Sequence, residues 1–321
     1  MKNHMGKIAV VFTTVFMITG LTGCAFGVNE KQAAYKQAGM EAIGTGDYSG
    51  AVDQFQAALN EAHAHVGVEE IDISYYKAAA QYMAGDIDGA IATYTNLIAY
   101  DKKSSDPYFL RGSLYLDTNQ PEPGMEDYKS AIELDKENYD LYTAIYYNLM
   151  AKGYTDEALE YTNMALAIEG SKAYNYMERG KIYLILEQYD VAETTFKKAV
   201  NAGDADGYIY LAQISSHNGD PDAAMNYLKK FQKSGEESSE AYDTIGKLYM
   251  LQGDYDGALE QFDKGLSMKK ITNEKDLRKD QVAAYEYSGD FATARDKAQE
   301  YVEKYPEDAT MARELVFLQT R

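Results

Sequence analysis

The sequence predicts an all-α solenoid of about eight helix-turn-helix hairpins followed by one C-terminal helix. Three observations lead to this fold class: small residues recur at a nearly fixed interval, apolar residues follow helical spacing, and turn residues separate the helical stretches. The intervals between the small residues are 39, 34, 34, 34, 32, 34 and 36 residues. These anchors are Ala51, Ala90, Gly124, Ala158, Ala192, Ala224, Ala258 and Ala294.

Residues 239–266 illustrate the repeating unit. Tyr242 and Tyr249 fall on one face of a predicted helix, and Gly253-Asp254 then interrupts the pattern. Glycine accepts the left-handed conformation that ends a helix, and Asp is a favoured N-cap for the next helix. The same pair recurs at Gly46-Asp47, Gly85-Asp86, Gly219-Asp220 and Gly289-Asp290, while Gly153, Asn119-Gln120 and Glu187-Gln188 hold this place in the remaining repeats.

Each predicted hairpin also pairs a small residue on its first helix with a larger one on its second. The small residues lie twelve positions before the anchors, and side chains without bulk allow two helices to approach closely. They are Gly39, Ala78, Gly112, Gly180, Ala212 and Gly246, and the larger partners are Phe55, Tyr94, Tyr128, Phe196 and Phe262.

This pattern resembles the tetratricopeptide repeat. The matching residues are Tyr108, Gly112, Tyr115, Tyr128 and Ala131 in the third repeat, and Tyr176, Gly180, Tyr183, Ala192, Phe196 and Ala199 in the fifth. The resemblance covers residues 32–306 and implies a right-handed superhelical solenoid that binds proteins. The chain departs from the family pattern at Tyr146, where a small residue is usual, and in a weak eighth repeat with Val282, Ala298 and Tyr301; the terminal proline survives only as Pro306.

Residues 307–321 are predicted to form a capping helix. Met311, Leu315 and Leu318 make an apolar stripe at helical spacing, and a solenoid needs such a helix to cover its last apolar face. Phe317 does not fit this stripe.

Composition limits the classes of partner. The chain of 321 residues has a formal charge of −20, and such an acidic body disfavours nucleic acid, whose binding requires a basic surface. A solvated acidic surface that maintains solubility explains the charge without a specific basic partner. Only five prolines occur and no linker-like stretch interrupts the repeats, so we expect one extended domain.

Residues 1–23 are predicted to be a lipoprotein signal peptide. Lys2 and Lys7 precede an apolar run over residues 8–20, and Leu21-Thr22-Gly23-Cys24 resembles a bacterial lipobox. The resemblance implies cleavage before Cys24 and lipidation of its thiol, leaving residues 24–31 as a short tether. The alternative is that Cys24 is an ordinary small residue in a membrane span. The predicted location is the extracytoplasmic face of a bacterial membrane, and the periplasmic side of the outer membrane if the cell has two membranes.

No motif for catalysis, cofactor binding or metal binding is found. The sequence has no phosphate loop, dinucleotide fingerprint or nucleophile elbow, and we expect neither an enzyme nor a cofactor. His63 and His65 form a His-x-His pair, but a metal site would need further ligands in fixed geometry. We interpret them as exposed residues at a helix end.

In the family, the first helix of each repeat lines a concave surface. Mapped by repeat phase, these positions are rich in aromatic residues and Met in repeats two to five and charged in repeats seven and eight. Aromatic side chains and adaptable Met are typical of peptide recognition, although the same side chains could instead fill the interior of the superhelix. We expect Tyr75, Phe109 and Tyr147 to carry partner binding without contributing much to stability. The full candidate set is Tyr75, Tyr82, Phe109, Leu116, Tyr147, Met150, Tyr174, Met177 and Leu184.

Two functions are therefore predicted. The first is a membrane-anchored extracytoplasmic scaffold that binds a protein or peptide partner through its concave face. The alternative is a self-associating or structural subunit of a cell-envelope assembly, such as a machine for outer-membrane protein assembly or pilus formation.

Overall fold

The computed structural model describes residues 30–62, 66–235, 237–306 and 308–320. Seventeen α-helices form in this part of the chain and no strand does, which confirms the predicted all-helical repeat fold. The chain divides into two compact units, the first ending at Ile168 and the second beginning at Glu169. The predicted signal peptide, Cys24, and the pair His63 and His65 lie outside the described residues.

The first unit contains the first four hairpins. Consecutive helices pack against each other within and between these hairpins. The helices are α1 (Glu30–Gly44), α2 (Tyr48–Asn60), α3 (Val68–Met83), α4 (Ile87–Tyr100), α5 (Asp106–Asp117), α6 (Pro121–Leu134), α7 (Tyr139–Lys152) and α8 (Thr155–Leu166).

The second unit contains the other four hairpins and the terminal helix. The helices are α9 (Ala173–Ile185), α10 (Tyr189–Asn201), α11 (Gly207–His217), α12 (Pro221–Ser234), α13 (Ser239–Leu251), α14 (Tyr255–Leu266), α15 (Glu274–Ser288), α16 (Phe291–Lys304) and α17 (Ala309–Leu318).

The turns inside the hairpins form as the Gly-Asp pairs predict. Gly253 has a φ of +77°, in the left-handed region, and Asp254 accepts a hydrogen bond from the N–H of Gly257 at 3.0 Å. Asp47, Asp86, Asp220 and Asp290 cap their helices in the same way. Asn119 and Glu187 take the left-handed conformation without being glycine, with φ values of 58° and 57°.

Close packing of small residues against aromatic rings forms the core of each hairpin. A Cβ added to Gly39 would lie 2.6 Å from the ring of Phe55, and one added to Gly180 would lie 2.5 Å from that of Phe196. Real Cβ atoms do not approach other atoms this closely, so each glycine makes room for the ring that fills the space beside it.

In the fourth and eighth repeats, which depart from the family pattern, the larger residue lies on the first helix of the hairpin and the smaller one on the second. Tyr146 is large and buried on α7, and the position for the large residue on α8 holds Thr162, which is also buried. In the eighth repeat Val282 is the larger residue and Ala298 the smaller, and both lie in one apolar cluster. A large residue on the first helix is tolerated because the second helix supplies a smaller one.

The terminal helix covers the last hairpin as predicted. Met311, Leu315 and Leu318 are buried in the cluster that contains Ala294 and Tyr301. Among the described residues, no helix is both long enough and apolar enough to cross a membrane.

Candidate partner-binding surface

One repeat position on the first helices, predicted to line the concave surface, is buried in repeats two, three, five, six and seven. It lies fifteen residues before the small anchor of its repeat, and its side chains are only 4–8% exposed. These residues are Tyr75, Phe109, Met177, Ile209 and Asp243. The position therefore belongs to the packing between helices, and the prediction that it lines an open surface is wrong.

Tyr75 and Phe109 both pack on an aromatic residue of the second helix in their own repeat. The ring centroids of Tyr75 and Tyr94 lie 6.2 Å apart, and those of Phe109 and Tyr128 lie 5.8 Å apart in a stacked arrangement. Burial raises the pKa of Tyr75 to about 12. Because both rings are part of the core, we now expect their removal to cost stability, contrary to the prediction from sequence.

Two other candidates are also buried, and one is half-buried. Leu116 lies against the backbone of Gly124, where a Cβ added to the glycine would be 3.1 Å from it. Met177 belongs to the apolar cluster around Phe196, and Leu184 packs against that cluster from its edge. Leu116 and Met177 therefore contribute to packing, and their burial leaves little of either side chain for a partner.

Tyr147 and Met150 are the exposed candidates of the first unit. Their side chains are 46% and 39% exposed, and residues three apart on a helix are neighbours on one face. The ring of Tyr147 lies edge-on to that of Tyr146, with centroids 5.3 Å apart. We call Tyr147 and Met150 together the α7 face. In the second unit, Tyr174 near the start of α9 is 53% exposed.

The remaining candidate of the first unit, Tyr82, is held by a hydrogen bond. Its hydroxyl donates to Oδ2 of Asp117 at 2.8 Å, and the ammonium of Lys152 pairs with Oδ1 of the same carboxylate. These three residues connect α3, α5 and α7 near their C-terminal ends. Burial and the hydrogen bond to Asp117 raise the pKa of Tyr82, so its hydroxyl remains a donor at neutral pH.

A second polar network joins α5, α6 and α7. The side-chain amide of Asn148 donates to Oγ of Ser113 at 2.8 Å and to the hydroxyl of Tyr128 at 3.2 Å, while these two oxygens lie 3.1 Å apart. Satisfied polar networks of this kind rigidify their surroundings. The α7 face therefore lies on a helix that polar contacts hold to α5 and α6 at Asn148 and Lys152.

The sequence analysis missed both networks, although one signal for them is visible. Tyr82, Asp117 and Lys152 are spaced by 35 residues, which is close to the repeat period. Residues one period apart lie on adjacent first helices, so an acid and a base in this relation can pair. The same reasoning identifies Ser113 and Asn148, which are also 35 residues apart.

The charged first helices of the seventh and eighth repeats form an ion-pair cluster. Lys247 lies 2.6 Å from Oδ2 of Asp243 on its own helix and 3.1 Å from Oδ2 of Asp280 on α15. Oδ1 of Asp243 is buried and accepts no hydrogen bond. Burial raises the pKa of Asp243 to about 6, against the opposing effect of Lys247. Across the described ranges, no group of three or more His, Cys, Asp or Glu side chains could hold a metal ion.

The paired helices and the glycine-aromatic contacts define a helical-repeat protein. Sequence models of the tetratricopeptide repeat match residues 36–107, 105–138, 173–202 and 239–272, which together make up just over half of the chain. The chain belongs to the tetratricopeptide repeat family. This fold suggests an interaction scaffold with protein or peptide partners.

Several known proteins are similar to this chain at low sequence identity. The TPR repeat-containing protein MJ1428 of Methanocaldococcus jannaschii is 28% identical over 164 residues, covering 50% of this chain and 29% of the relative. DnaJ homolog subfamily C member 3 of Mus musculus is 23% identical over 261 residues, covering 79% and 47%. The chain thus spans less than half the length of these relatives. A tetratricopeptide repeat protein from Parabacteroides merdae has a solved structure with 17% identity and a TM-score of 0.47, covering 80% of this chain and 99% of that one.

Proposed function

We propose that this chain is a lipid-anchored scaffold on the extracytoplasmic side of a bacterial membrane, where it holds a protein partner against the α7 face. The exposure of Tyr147 and Met150 on one face of α7 carries the proposal for the binding surface. A Tyr ring offers large contact area with few rotatable bonds, and Met adapts to the shape of its partner. An extended segment or a helix would fit such a face.

The polar contacts around α7 support this assignment. Lys152 is paired with Asp117, and Asn148 is bonded to Ser113 and Tyr128, so the helix is held before any partner arrives. Binding to a surface that is already ordered costs less conformational entropy than binding to a mobile one.

The proposal for the membrane anchor rests on the first 24 residues of the sequence. Lys2 and Lys7, the apolar run over residues 8–20 and the Leu21-Thr22-Gly23-Cys24 sequence resemble a lipoprotein signal. Two or more acyl chains on Cys24 would anchor the protein stably, where a single chain binds only marginally. The few residues between Cys24 and the start of α1 at Glu30 would then keep the first repeat close to the bilayer.

In-cell crosslinking of the full-length chain, followed by mass spectrometry, tests the binding face. The test variant is Tyr147→Ser/Met150→Ser. The matched control is Leu159→Ser/Met164→Ser, which removes two exposed apolar side chains from α8 of the same repeat. We expect a protein neighbour that is captured by the native chain and the control and lost from the test variant. Identical capture by all three chains would refute the α7 face, and capture of only the chain itself would favour the self-associating alternative.

Membrane fractionation tests the anchor separately. A Cys24→Ala variant should lose lipid labelling and either leave the membrane fraction or remain unprocessed. If it is still processed and membrane-bound like the native chain, lipidation at Cys24 is the wrong explanation.

A further inference from the structure

Lysines gather on the C-terminal halves of two second helices in the second unit, α10 and α12. They are Lys197, Lys198, Lys229, Lys230 and Lys233, all of them exposed, and we call them the lysine stripe. Lys197 and Lys229 lie at the same place in the fifth and sixth repeats, five residues after the small anchor, and Lys198 and Lys230 lie one residue later. The stripe therefore occupies corresponding positions in two neighbouring hairpins.

The repeat does not require lysine at these two positions. In the first four repeats, whose helices also pair into hairpins, the corresponding residues include a single Lys. They are Gln56-Ala57, Thr95-Asn96, Lys129-Ser130 and Asn163-Met164. A Lys in the last turn of a helix stabilises its macrodipole, which explains Lys198 and Lys233. Lys197, Lys229 and Lys230 lie further from the helix ends and need another explanation.

Most of the positive charge of the lysine stripe is not compensated by nearby carboxylates. The ammonium of Lys197 lies 2.6 Å from Oε1 of Glu193, one turn earlier on the same helix. Within the described part of the chain, Lys229 and Lys233 form no ion pair. The stripe is therefore a local excess of positive charge on a chain whose formal charge is −20. Such an excess attracts anionic groups that the rest of the surface repels.

Tyr227 on α12 connects the two helices of the stripe. The ammonium of Lys230 lies 5.1 Å from the centroid of its ring. The hydrogen bond to Glu193 raises the pKa of Lys197 on α10, and the phenol of Tyr227 adds to this effect, so the two side chains are close in space. The ring of Tyr227 stacks on Tyr208, with centroids 6.3 Å apart, and among the described residues its hydroxyl has no hydrogen-bond partner. Two ammonium groups beside a free phenol O–H supply donors for a carboxylate, which accepts several hydrogen bonds.

Acidic residues limit the stripe to the C-terminal halves of its helices. Asp190 and Glu193 lie in the N-terminal half of α10, and Asp222 lies at the start of α12. A flat anionic membrane would meet these carboxylates together with the lysines, whereas a single extended segment can cross the two helices along the lysines alone. Neither helix contains Arg, whose planar fork is the usual choice for phosphates and nucleic acid. A segment rich in Asp and Glu therefore matches the stripe best.

We propose that the lysine stripe binds an acidic segment of a protein partner. One carboxylate of the segment lies between Lys197 and Lys230, beside the hydroxyl of Tyr227, and further carboxylates pair with Lys229 and Lys233. The stripe is on second helices of the second unit and is independent of the α7 face. The protein thus has a second interaction surface, whose partner is selected by charge.

Fluorescence anisotropy of the full chain with a short labelled peptide tests the proposal. The probe alternates Glu and Ser, and two matched probes carry Gln or Lys in place of Glu. The overall charge of the chain favours the Lys probe, so binding of the Glu probe requires a local positive surface. We expect the Gln probe to bind at least about tenfold more weakly than the Glu probe. Binding of the Glu probe should also weaken when the ionic strength rises from about 0.05 to about 0.3 M, because salt screens exposed charges.

Variants locate the binding on the stripe. Lys229→Glu/Lys230→Glu should weaken binding of the Glu probe by about tenfold or more. The matched control is Lys269→Glu/Lys270→Glu, which reverses another exposed adjacent pair of the same unit, changes the net charge equally and should leave binding unchanged. Tyr227→Phe keeps the ring, removes the hydroxyl and should weaken binding by about threefold. Circular dichroism confirms that each variant is folded, and Lys229→Gln/Lys230→Gln replaces the first variant if the reversed charges unfold α12.

Three results would overturn this surface. They are failure of the Glu probe to bind at low ionic strength, equal binding of the Glu and Gln probes, and equal effects of the two charge reversals. Sedimentation with vesicles that contain phosphatidylglycerol tests the membrane as the occupant. If the native chain sediments with them, Lys229→Glu/Lys230→Glu does not and the Glu probe fails to bind, the stripe is a lipid-binding surface. The Tyr147→Ser/Met150→Ser variant should bind the Glu probe like the native chain, so failure of the α7 face and failure of the stripe give different results.

Discussion

Phe109 and Tyr147 occupy two kinds of surface on the first helices, and their replacement by Ala should separate packing from binding. Phe109 is 7% exposed and its ring stacks on Tyr128, whereas Tyr147 is 46% exposed. Both lie in the first unit, so the same unfolding transition reports on both. The contrast tests the assignment of the α7 face directly.

The magnitudes follow from burial. A buried aromatic side chain removes about 150–250 Å² from water, worth about 25 cal/mol per Å², and replacement of a core Phe by Ala costs about 3–5 kcal/mol. Tyr147 retains nearly half of its exposure and leaves no enclosed cavity, so Tyr147→Ala should cost about 1 kcal/mol, mainly from its edge-on contact with Tyr146. We expect a difference of at least about 2 kcal/mol between the two variants.

Urea unfolding followed by far-UV circular dichroism measures this difference. The chain contains no Trp, so helix content is a better signal than intrinsic fluorescence. Partner capture, measured on the same preparations, should be lost for Tyr147→Ala at temperatures where the variant is fully folded. Equal losses of unfolding free energy for the two variants would refute the reasoning, because it would mean that Tyr147 is as much a core residue as Phe109.

Three further predictions concern the turns, the close helix contacts and the buried carboxylate. Glu187 has a left-handed φ of 57°, which costs a non-glycine residue about 1–2 kcal/mol. Glu187→Gly should therefore raise the thermal midpoint of the second unit, and Gly253→Ala, at a φ of +77°, should lower it. A decrease for Glu187→Gly would contradict this. Gly180→Ala should lower the free energy of unfolding by about 1–3 kcal/mol, because its Cβ would lie 2.5 Å from the ring of Phe196. An additional Phe196→Leu change should recover part of this loss, measured by urea unfolding. No loss at all would show that the ring moves freely. Burial raises the pKa of Asp243 from 3.8 to about 6, so the folded state binds this proton more tightly than the unfolded state and stability should fall as the pH rises from about 4 to 6. Asp243→Asn should flatten that part of the profile of unfolding free energy against pH, and identical profiles would refute the assignment.

The local features of this fold were predictable because they depend on a few neighbouring residues. A Gly-Asp pair ends one helix and caps the next whatever surrounds it, and the turn at Gly253-Asp254 forms as its sequence indicates. The stripe of Met311, Leu315 and Leu318 likewise needs only one apolar face to cover, and the eighth hairpin supplies it.

The burial of the candidate residues was less predictable from the sequence. The position of a residue within its repeat indicates which face of the helix it occupies, but not how much of its side chain the neighbouring helices cover. Tyr75 and Phe109 were mapped to the concave surface, but the second helices of their repeats present Tyr94 and Tyr128, whose rings pack against them. The same position holds Asp243 in the seventh repeat, where burial leaves one carboxylate oxygen without a partner. Tyr147 at a neighbouring position remains 46% exposed, and its ring contacts Tyr146 of its own helix.

The contact between Tyr82, Asp117 and Lys152 makes the repeats of the first unit non-interchangeable. The three residues lie near the ends of the first helices of three successive repeats, and each has a different chemical role: neutral donor, anion and cation. Excision of the third repeat would bring a hydroxyl opposite an ammonium and remove the carboxylate that joins them. A repeat architecture can in principle gain or lose units by recombination within its gene, but here the order of three successive repeats is encoded in their pairing. We therefore expect that segment to be inherited as one block, while length changes occur elsewhere in the array.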